Sequence, residues 1–220
     1  MKKRIENIGI ILSGGSGTRF GNDMPKQYCM LNDKEVISYT IDAFRKSEMI
    51  DDIIVVVDEN NVYQEHIQKT YGLKTVTGGR TRNWSFKNAL TYIENNYPDC
   101  KKIIENNAAC PMITEKIIDE FMELLDNYDY VNTAYEITDA LGAYNGRIAD
   151  RSDFYLIQAP DAYKFELINK YFDPNSKLCH PAHQLPLSCT EYKYFGYDRN
   201  IKITYPHDLK IAEIYMSERE

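Results

Sequence analysis

The feature that most constrains the fold is an apolar run that ends in a glycine-rich loop. The run Ile8-Gly-Ile-Ile-Leu12 has the composition of a buried strand, and Ser13-Gly-Gly-Ser-Gly17 follows it directly. Three glycines in this loop remove the side chains that would keep a ligand away from the backbone, so successive N–H groups can converge on anionic oxygens. The segment therefore predicts a phosphate-binding loop at the end of a buried strand.

The spacing of this loop differs from that of two common phosphate-binding loops. Walker A requires Gly-Lys-Ser/Thr at a helix start, and the Rossmann fingerprint requires Gly-x-Gly-x-x-Gly with an acid about 20 residues later. Instead, Arg19 and Pro25-Lys26-Gln27 follow the glycines. Arginine offers a planar fork for two oxygens and lysine a mobile point charge, so the pair would suit a triphosphate.

Apolar runs alternate with amphipathic stretches along the chain, which predicts an α/β protein with a mostly parallel, Rossmann-like sheet flanked by helices on both faces. The expected strands are Ile8–Leu12, Ile53–Val57, Lys74–Val76, Lys102–Ile104 and Tyr130–Ala134, and the expected helices are Val36–Phe44, Val62–Tyr71, Trp84–Ile93 and Ile113–Leu125. A closing helix is expected after Thr204, which would be its N-cap. Ligands of such sheets bind beyond the carboxyl ends of the strands, where the glycine loop falls.

Length and charge narrow the functional class. At 220 residues the chain is within the size of one domain, so we expect a single unit over residues 1–220. A net charge of −7 argues against nucleic acid or an anionic membrane as the main partner. Without a long apolar stretch or a signal-like segment, the sequence predicts a cytoplasmic protein with no membrane partner.

The cysteines favour reduced thiols over a disulfide framework, because the five of them are scattered and odd in number. Cys179-His180-Pro-Ala-His183, with Cys189 downstream, could be taken for a zinc site. Adjacent Cys-His lacks the paired spacing of structural zinc ligands, so we expect a polar surface loop there.

Four further motifs follow the glycine loop in order. They are Gly78-Gly-Arg-Thr-Arg-Asn-Trp-Ser85, Asp150-Arg151, Gln158-Ala-Pro160, and Asn200-Ile-Lys-Ile-Thr204 followed by Pro206, Asp208 and Leu209. With these motifs the chain resembles the nucleotidyltransferases that join a nucleoside triphosphate to a phosphorylated sugar or alditol. Within that group it is most similar to the cytidylyltransferases that act on methylerythritol phosphate or ribitol phosphate.

This resemblance implies two catalytic cations and a set of nucleotide contacts. Arg19 and Lys26 would contact the triphosphate and stabilise the charge that grows on the α-phosphate. The nucleotide CTP would arrive with Mg²⁺, which bridges phosphates and keeps several waters. The implied nucleotide-binding residues are Leu12, Ser13, Gly14, Gly15, Gly17, Thr18, Gly79, Arg82 and Ser85.

Residues 136–155 break the strand-helix alternation and predict a protruding β-hairpin, because they contain Gly142 and Gly146 between two β-prone pieces. In the resembled family this segment is an arm that crosses to a partner subunit. By that likeness the protein is a homodimer, and Arg151 acts as a catalytic residue in the neighbour's site. The small phosphorylated acceptor would be bound by Asn107, Asp139, Arg151 and Lys202.

The chain departs from the family on the acceptor side. The family's His-Asp-Ala-Ala-Arg-Pro is here Asn106-Asn-Ala-Ala-Cys110-Pro111, so an amide replaces the acid at Asn107 and a thiol replaces the Arg fork. Asn107 remains the candidate metal ligand. Further replacements are Ala140 after Asp139, Ala159 and Asp161 around Pro160, and Arg199 before Asn200, and the segment 180–188 does not resemble the family's helix there.

The residues that the resemblance assigns to the nucleotide are kept, whereas several of those assigned to the acceptor are replaced. This contrast predicts a working cytidylyltransferase whose acceptor is not methylerythritol phosphate. The acceptor would be ribitol 5-phosphate, another alditol phosphate, or a small phosphate or phosphonate used in surface-polymer synthesis. A second hypothesis keeps the methylerythritol phosphate reaction of isoprenoid synthesis. A third is a non-catalytic nucleotide-binding protein, suggested by Asn107 and Cys110 and opposed by Arg19 and Lys26.

Overall fold

The computed structural model of the chain describes residues 4–15, 17, 20–21 and 24–218. Within them are six helices: α1 Val36–Lys46, α2 Gln64–Tyr71, α3 Arg82–Asn96, α4 Glu115–Leu124, α5 Phe165–Tyr171 and α6 His207–Ser217. The strands are β1 Asn7–Leu12, β2 Met30–Leu31, β3 Lys34–Glu35, β4 Asp52–Val57, β5 Lys74–Thr77, β6 Lys102–Asn107, β7 Tyr130–Glu136, β8 Tyr155–Lys164 and β9 Glu191–Tyr194. No helix among these residues is both long and apolar enough to cross a membrane.

The main sheet has seven strands in the order β5-β4-β1-β6-β8-β7-β9. Strand β8 pairs antiparallel with β6 and β7, whereas the other pairings are parallel. The predicted mostly parallel α/β sheet is therefore confirmed. Because β1 lies between β4 and β6, the carboxyl ends of these strands meet at one edge, which is where ligands of such sheets bind.

Helices cover both faces of this sheet, as predicted. In β4 the side chains alternate, so that Val55 and Val57 pack with α1 and α4 on one face while Ile54 and Val56 pack with α3 and α5 on the other. Both faces of the sheet are shielded from solvent by these helices, since Ile54, Val55 and Val56 are fully buried. The β1 and β4 runs are apolar throughout because each strand is covered on both faces.

Some predicted boundaries shift for local reasons. Helix α2 begins at Gln64 instead of Val62, because Asn61 adopts a left-handed φ of 57° and turns the chain just before the helix. Thr114 caps α4, and its hydroxyl accepts the N–H of Ile117 at 3.3 Å, so the predicted start at Ile113 is too early.

Thr204 is not the N-cap of the last helix, and that prediction is wrong. Helix α6 begins at His207, and the Asp208 carboxylate accepts the N–H groups of Thr204 (2.7 Å) and Tyr205 (2.8 Å). A carboxylate in the first helical turn satisfies these donors and complements the helix dipole, so Thr204 stays in the preceding loop.

The predicted hairpin is formed by β7 and β8, whose pairing ends at Glu136 and Tyr155. Between them, residues 137–154 contain no strand. They form a largely exposed loop with a short 3-10 helix at Arg151–Asp153. The paired strands of this hairpin therefore lie mostly outside the segment 136–155.

The tightest packing in β1 is at Gly9. A Cβ there would overlap the ring of Phe44, which is 1% exposed and has no room to move. We expect Gly9→Ala to lower the free energy of unfolding by about 1–3 kcal/mol, the usual cost of overpacking a core. Urea denaturation of the purified variant measures this loss.

Gly142→Ala is the matched control, because a Cβ at Gly142 meets no atom within 4 Å. Its stability should stay within about 0.5 kcal/mol of the parent protein. Equal stability of the Gly9→Ala and Gly142→Ala variants would contradict the packing seen at β1.

Candidate active site

A pocket of about 400 Å³ opens at the carboxyl edge of β1, β5 and β6. Its walls come from three segments: the glycine loop after β1, the segment from β5 into α3, and the turn after β6. A fourth segment, before α6, closes one side. The lining residues are Leu12, Gly14, Gly15, Gly17, Lys26, Gln27, Gly79, Arg80, Thr81, Arg82, Ser85, Asn107, Ala108, Ala109, Lys202 and Thr204.

The two glycine loops are held by the end of β4. The N–H of Ser13 donates to Val56 O (2.8 Å), and the N–H of Gly78 donates to Val57 O (3.1 Å). A Cβ on Gly14 would lie 2.9 Å from Val57 O, and one on Gly78 would overlap the same oxygen. Glycine is required at both positions because the backbones pack directly on that carbonyl.

The segment that follows the glycine loop folds back beneath it. Lys26–Tyr28 form a 3-10 helix, and the amide of Gln27 donates to Ser13 O at 2.7 Å and Gly15 O at 3.1 Å. Gln27 is 3% exposed, so these contacts fix the loop from below. Lys26 lines the pocket next to it.

The second glycine turn is fixed by the start of α3. The Thr81 hydroxyl caps the helix by accepting the N–H of Trp84 at 3.2 Å. The Ser85 hydroxyl accepts the N–H of Gly79 at 3.0 Å and approaches its carbonyl at 3.3 Å. Ser85 therefore shapes the turn that lines the pocket, a role that its position in a helix does not reveal.

A second, larger pocket of about 680 Å³ adjoins the first. Arg82, Asn107 and Lys202 line both pockets and form the seam between them. Beyond this seam the second pocket is lined by Cys110, residues 153–159, Asp161, Cys179, His180, His183 and Asn200. Two adjacent compartments with shared cations suit a reaction between two anionic molecules.

The turn after β6 lies at this seam. The N–H of Ala108 donates to Leu12 O (3.0 Å), and the amide of Asn106 holds Cys110 O (3.3 Å). Burial raises the pKa of the Cys110 thiol to about 11, although Lys202 and then Lys26 act to lower it. The thiol is thus neutral, and both lysines exert their field at the same point.

Four ionisable side chains meet beneath the second pocket. Arg82 Nη2 lies 2.6 Å from Glu105 Oε1, and His180 Nε2 lies 3.2 Å from Asp161 Oδ2. The expected polar surface loop holds for Cys179, His183 and residues 187–188, which are exposed. It does not hold for residues 180–182, because the His180 side chain is only 12% exposed and Pro181 and Ala182 are buried. Sequence reasoning missed this cluster because its members come from four distant segments.

The structure gathers most of the predicted site residues. Lining the pockets are Leu12, Gly14, Gly15, Gly17, Lys26, Gly79, Arg82, Ser85, Asn107 and Lys202. Ser13 contributes its backbone, while its hydroxyl lies 2.9 Å from the Tyr28 hydroxyl. Thr18 and Arg19 lie outside the described residues.

Two predicted acceptor residues line neither pocket of their own chain, although Asp153 and Phe154 of the same loop line the second. Asp139 and Arg151 belong to the exposed loop 137–154, where Arg151 donates to Thr138 O. Six lining residues of the first pocket were not predicted as site residues, although each stands within a quoted motif: Gln27, Arg80, Thr81, Ala108, Ala109 and Thr204.

Relatives with known names match nearly the whole chain. A 2-C-methyl-D-erythritol 4-phosphate cytidylyltransferase from Azobacteroides pseudotrichonymphae is 34% identical over 216 residues, which cover 93% of this chain and 96% of the relative. A ribitol-5-phosphate cytidylyltransferase from Lactiplantibacillus plantarum is 31% identical and covers 95% of this chain and 97% of its own. The relatives thus carry two different acceptor names.

The fold has solved counterparts. The crystal structure of 4-diphosphocytidyl-2C-methyl-D-erythritol synthase from Anaerococcus prevotii superposes with a TM-score of 0.80 at 21% identity, covering 97% of this chain and 99% of that one. The sequence model of the family described as IspD, 2-C-methyl-D-erythritol 4-phosphate cytidylyltransferase, matches residues 8–218. The chain therefore belongs to the IspD family of CTP-dependent cytidylyltransferases.

Proposed function

We propose that this cytidylyltransferase transfers CMP from CTP to a phosphorylated polyol other than methylerythritol phosphate, such as ribitol 5-phosphate, and releases pyrophosphate. A small phosphate or phosphonate of related shape is included in the class. The observation that carries this proposal is the contrast between the two pockets. The first is lined by the glycine loops, Lys26 and Ser85, to which the resemblance assigns the nucleotide, whereas the second is lined by Asn107 and a neutral Cys110 at positions where the resemblance gives an acid and an arginine.

The reaction needs positioning and charge cancellation more than covalent help. A phosphate oxygen of the acceptor attacks the α-phosphorus of CTP, and pyrophosphate leaves in line. The attacking, transferred and leaving groups are all anionic, so cations at the junction stabilise the transition state. Lys26 and Lys202 both line the first pocket, and Lys202 also lines the second, which suits it to span the two substrates.

Magnesium would enter this site bound to the phosphates of the nucleotide. In the part of the chain that the structure describes, no three His, Cys, Asp or Glu side chains gather to hold a metal. Mg²⁺ commonly takes one or two protein oxygens and completes its shell with phosphate oxygens and water. The Asn107 amide oxygen at the seam would be the protein ligand, and the ion would neutralise phosphate charge.

The seam lacks the arginine that the resembled family has at the position of Cys110, and this affects how the acceptor's phosphate is bound. An Arg side chain binds phosphate through two parallel hydrogen bonds, in a bidentate contact, and the neutral thiol of Cys110 offers no such contact. Arg151 would supply the missing cation from a partner subunit, since it lies in the exposed hairpin loop. The acceptor's phosphate would then be held by Lys202 and the partner copy's Arg151 together.

Pyrophosphate release with CTP, Mg²⁺ and a panel of acceptors tests the proposal. The panel contains D-ribitol 5-phosphate, sn-glycerol 3-phosphate, methylerythritol phosphate and 2-aminoethylphosphonate. We expect release with a polyol phosphate at a kcat/KM at least about 10-fold above that for methylerythritol phosphate, since a rebuilt pocket discriminates by a few contacts.

Preference for methylerythritol phosphate would instead support the isoprenoid reaction, which the name of the Azobacteroides relative favours. Binding of CTP by calorimetry without turnover on any acceptor would support a non-catalytic protein. Either outcome would overturn the proposed acceptor class.

Gln27 is expected to shape the nucleotide loop. Its removal leaves the carbonyls of Ser13 and Gly15 without a buried donor, so the loop loses its fixed form. We expect Gln27→Ala to weaken CTP binding by about 10-fold or more, as measured by isothermal titration calorimetry.

The matched control for this variant is Gln68→Ala. Gln68 also donates through its amide, to Thr75 Oγ1 at 2.9 Å, but on an exposed surface outside the pocket. Unchanged CTP affinity in Gln27→Ala, with only a lower melting temperature, would mean that Gln27 supports the fold alone.

A composite site across a dimer predicts complementation between two inactive variants. Lys26→Ala and Arg151→Ala should each reduce turnover by orders of magnitude without unfolding the protein, because each removes transition-state charge stabilisation. Mixed subunits should regain roughly a quarter of the activity, since each heterodimer retains one intact site. Steady-state pyrophosphate release measures the recovery.

Verified heterodimers that recover no activity would contradict a site shared between subunits. Near-normal turnover of Lys26→Ala alone would contradict its transition-state role. Lys116→Ala removes the same charge from the exposed face of α4 and serves as the control. Its turnover should equal that of the parent protein, alone and in mixtures with parent subunits.

A further inference from the structure

Two carboxylates face each other across neighbouring strands under the second pocket. Glu105 on β6 is the direct register partner of Asp161 on β8, and each is 1% exposed. Like charges directly opposite on a sheet destabilise it, and burial adds a desolvation cost. A fold has no need of such a pair, so its presence points to a task in the adjoining pocket.

Each acid has a basic partner of its own. Arg82 from the start of α3 meets Glu105, and His180 from the loop after α5 meets Asp161 at 3.2 Å, a charge contact whose alignment misses that of a hydrogen bond. Burial lowers the pKa of His180, but Asp161 and then Glu105 outweigh it, so the pKa lies above its ordinary value. Each buried carboxylate thus has one basic side chain beside it, at 2.6 Å for Glu105 and 3.2 Å for Asp161.

The wall of the second pocket contains hydrogen-bond acceptors that no donor in the described part of the chain satisfies. Among the described residues, Asp161 Oδ1 and Asn200 Oδ1 are buried and have no donor. The Asn200 amide N–H groups are already used by Gln158 Oε1 (2.9 Å) and Ala159 O (2.7 Å). Asp161 and Asn200 both line the second pocket, so a molecule there can satisfy these oxygens by donating hydrogen bonds to them.

The chemistry of the ligand follows from this wall. A phosphate or phosphonate group offers acceptors only and would be repelled by Asp161. A hydroxyl can donate to Asp161 Oδ1 and at the same time accept from a ring N–H of His180, whose ring nitrogens have no hydrogen-bond partner in the described chain. Because each acid already has a basic partner, a neutral hydroxyl suits the site better than an ammonium group.

We propose that Asp161 is a specificity-determining residue for the acceptor, accepting a hydrogen bond from a hydroxyl on its polyol chain, and that His180 is the positioning residue that holds the carboxylate. This inference rests on the proposed function and deepens it. The phosphate end of the acceptor lies at the seam with Lys202, and the hydroxylated end extends toward Asp161 and Asn200. Selection for a hydroxylated chain is thus built into the wall of the second pocket.

The test compares ribitol 5-phosphate with its monodeoxy analogues in the parent protein and in Asp161→Asn. We expect the parent to lose about 10- to 100-fold in kcat/KM with one of the analogues, because that analogue leaves a buried carboxylate unsatisfied. Asp161→Asn should lose a similar factor with ribitol 5-phosphate and should no longer distinguish that analogue. The loss should appear in the acceptor's KM, with CTP affinity unchanged by calorimetry.

Asp52→Asn is the control, since the Asp52 carboxylate is also paired, in its case with Lys74 and Tyr97, but lies at the amino end of β4, away from the pockets. His180→Gln provides a second route, because it keeps a donor without the charge and should raise the acceptor's KM less than His180→Ala does.

Asp161→Asn could still prefer ribitol 5-phosphate to the deoxy analogue while its kcat/KM falls equally for all acceptors. That result would overturn the inference and leave the proposed function standing. A higher kcat/KM for 2-aminoethylphosphonate than for any polyol phosphate, with loss in Asp161→Asn, would overturn the choice of a hydroxyl. Absence of turnover on every polyol phosphate, despite normal CTP binding, would remove both the inference and the proposed function.

Discussion

The end of β4 is the fixed point on which the site depends. Ser13 and Gly78 donate their N–H groups to the last two carbonyls of this strand, and the backbones of Gly14 and Gly78 pack against Val57 O so closely that a Cβ would clash. Two loops that are more than 60 residues apart are thereby brought to one strand end. The parallel pairing of β1 with β4 makes this possible, since it aligns their carboxyl ends.

Around this fixed point the site divides into two unlike compartments. The first pocket is built largely from backbone groups and from side chains that shape them, as Gln27 and Ser85 do. The second pocket is built over buried side chains that face one another across the sheet. Lys202 joins the two, and its loop is tied to the turn after β6 by the hydrogen bond from Ile203 N to Ala109 O (2.8 Å).

Much of the fold could be predicted because its signals are local. The alternation of buried strands and amphipathic helices predicts the sheet, and the motifs predict most of the first pocket. Errors arose where a nearby polar group changed a boundary, as Asp208 does for Thr204 and the left-handed Asn61 does for α2. Such effects depend on the conformation of a few residues, which the hydrophobic pattern does not encode.

By itself the sequence determined the α/β class, the glycine loops and the position of Lys26 just after the first of them, because each depends on residues close together in the chain. Only the tertiary structure decided that Glu105 lies opposite Asp161, and that Arg82 and His180 pair with them. These four residues come from different segments of the chain. Only the register of β6 with β8 brings their ionisable groups together in one buried cluster. Burial, which raises the pKa of Glu105 against the pull of Arg82, is a property of the folded chain alone.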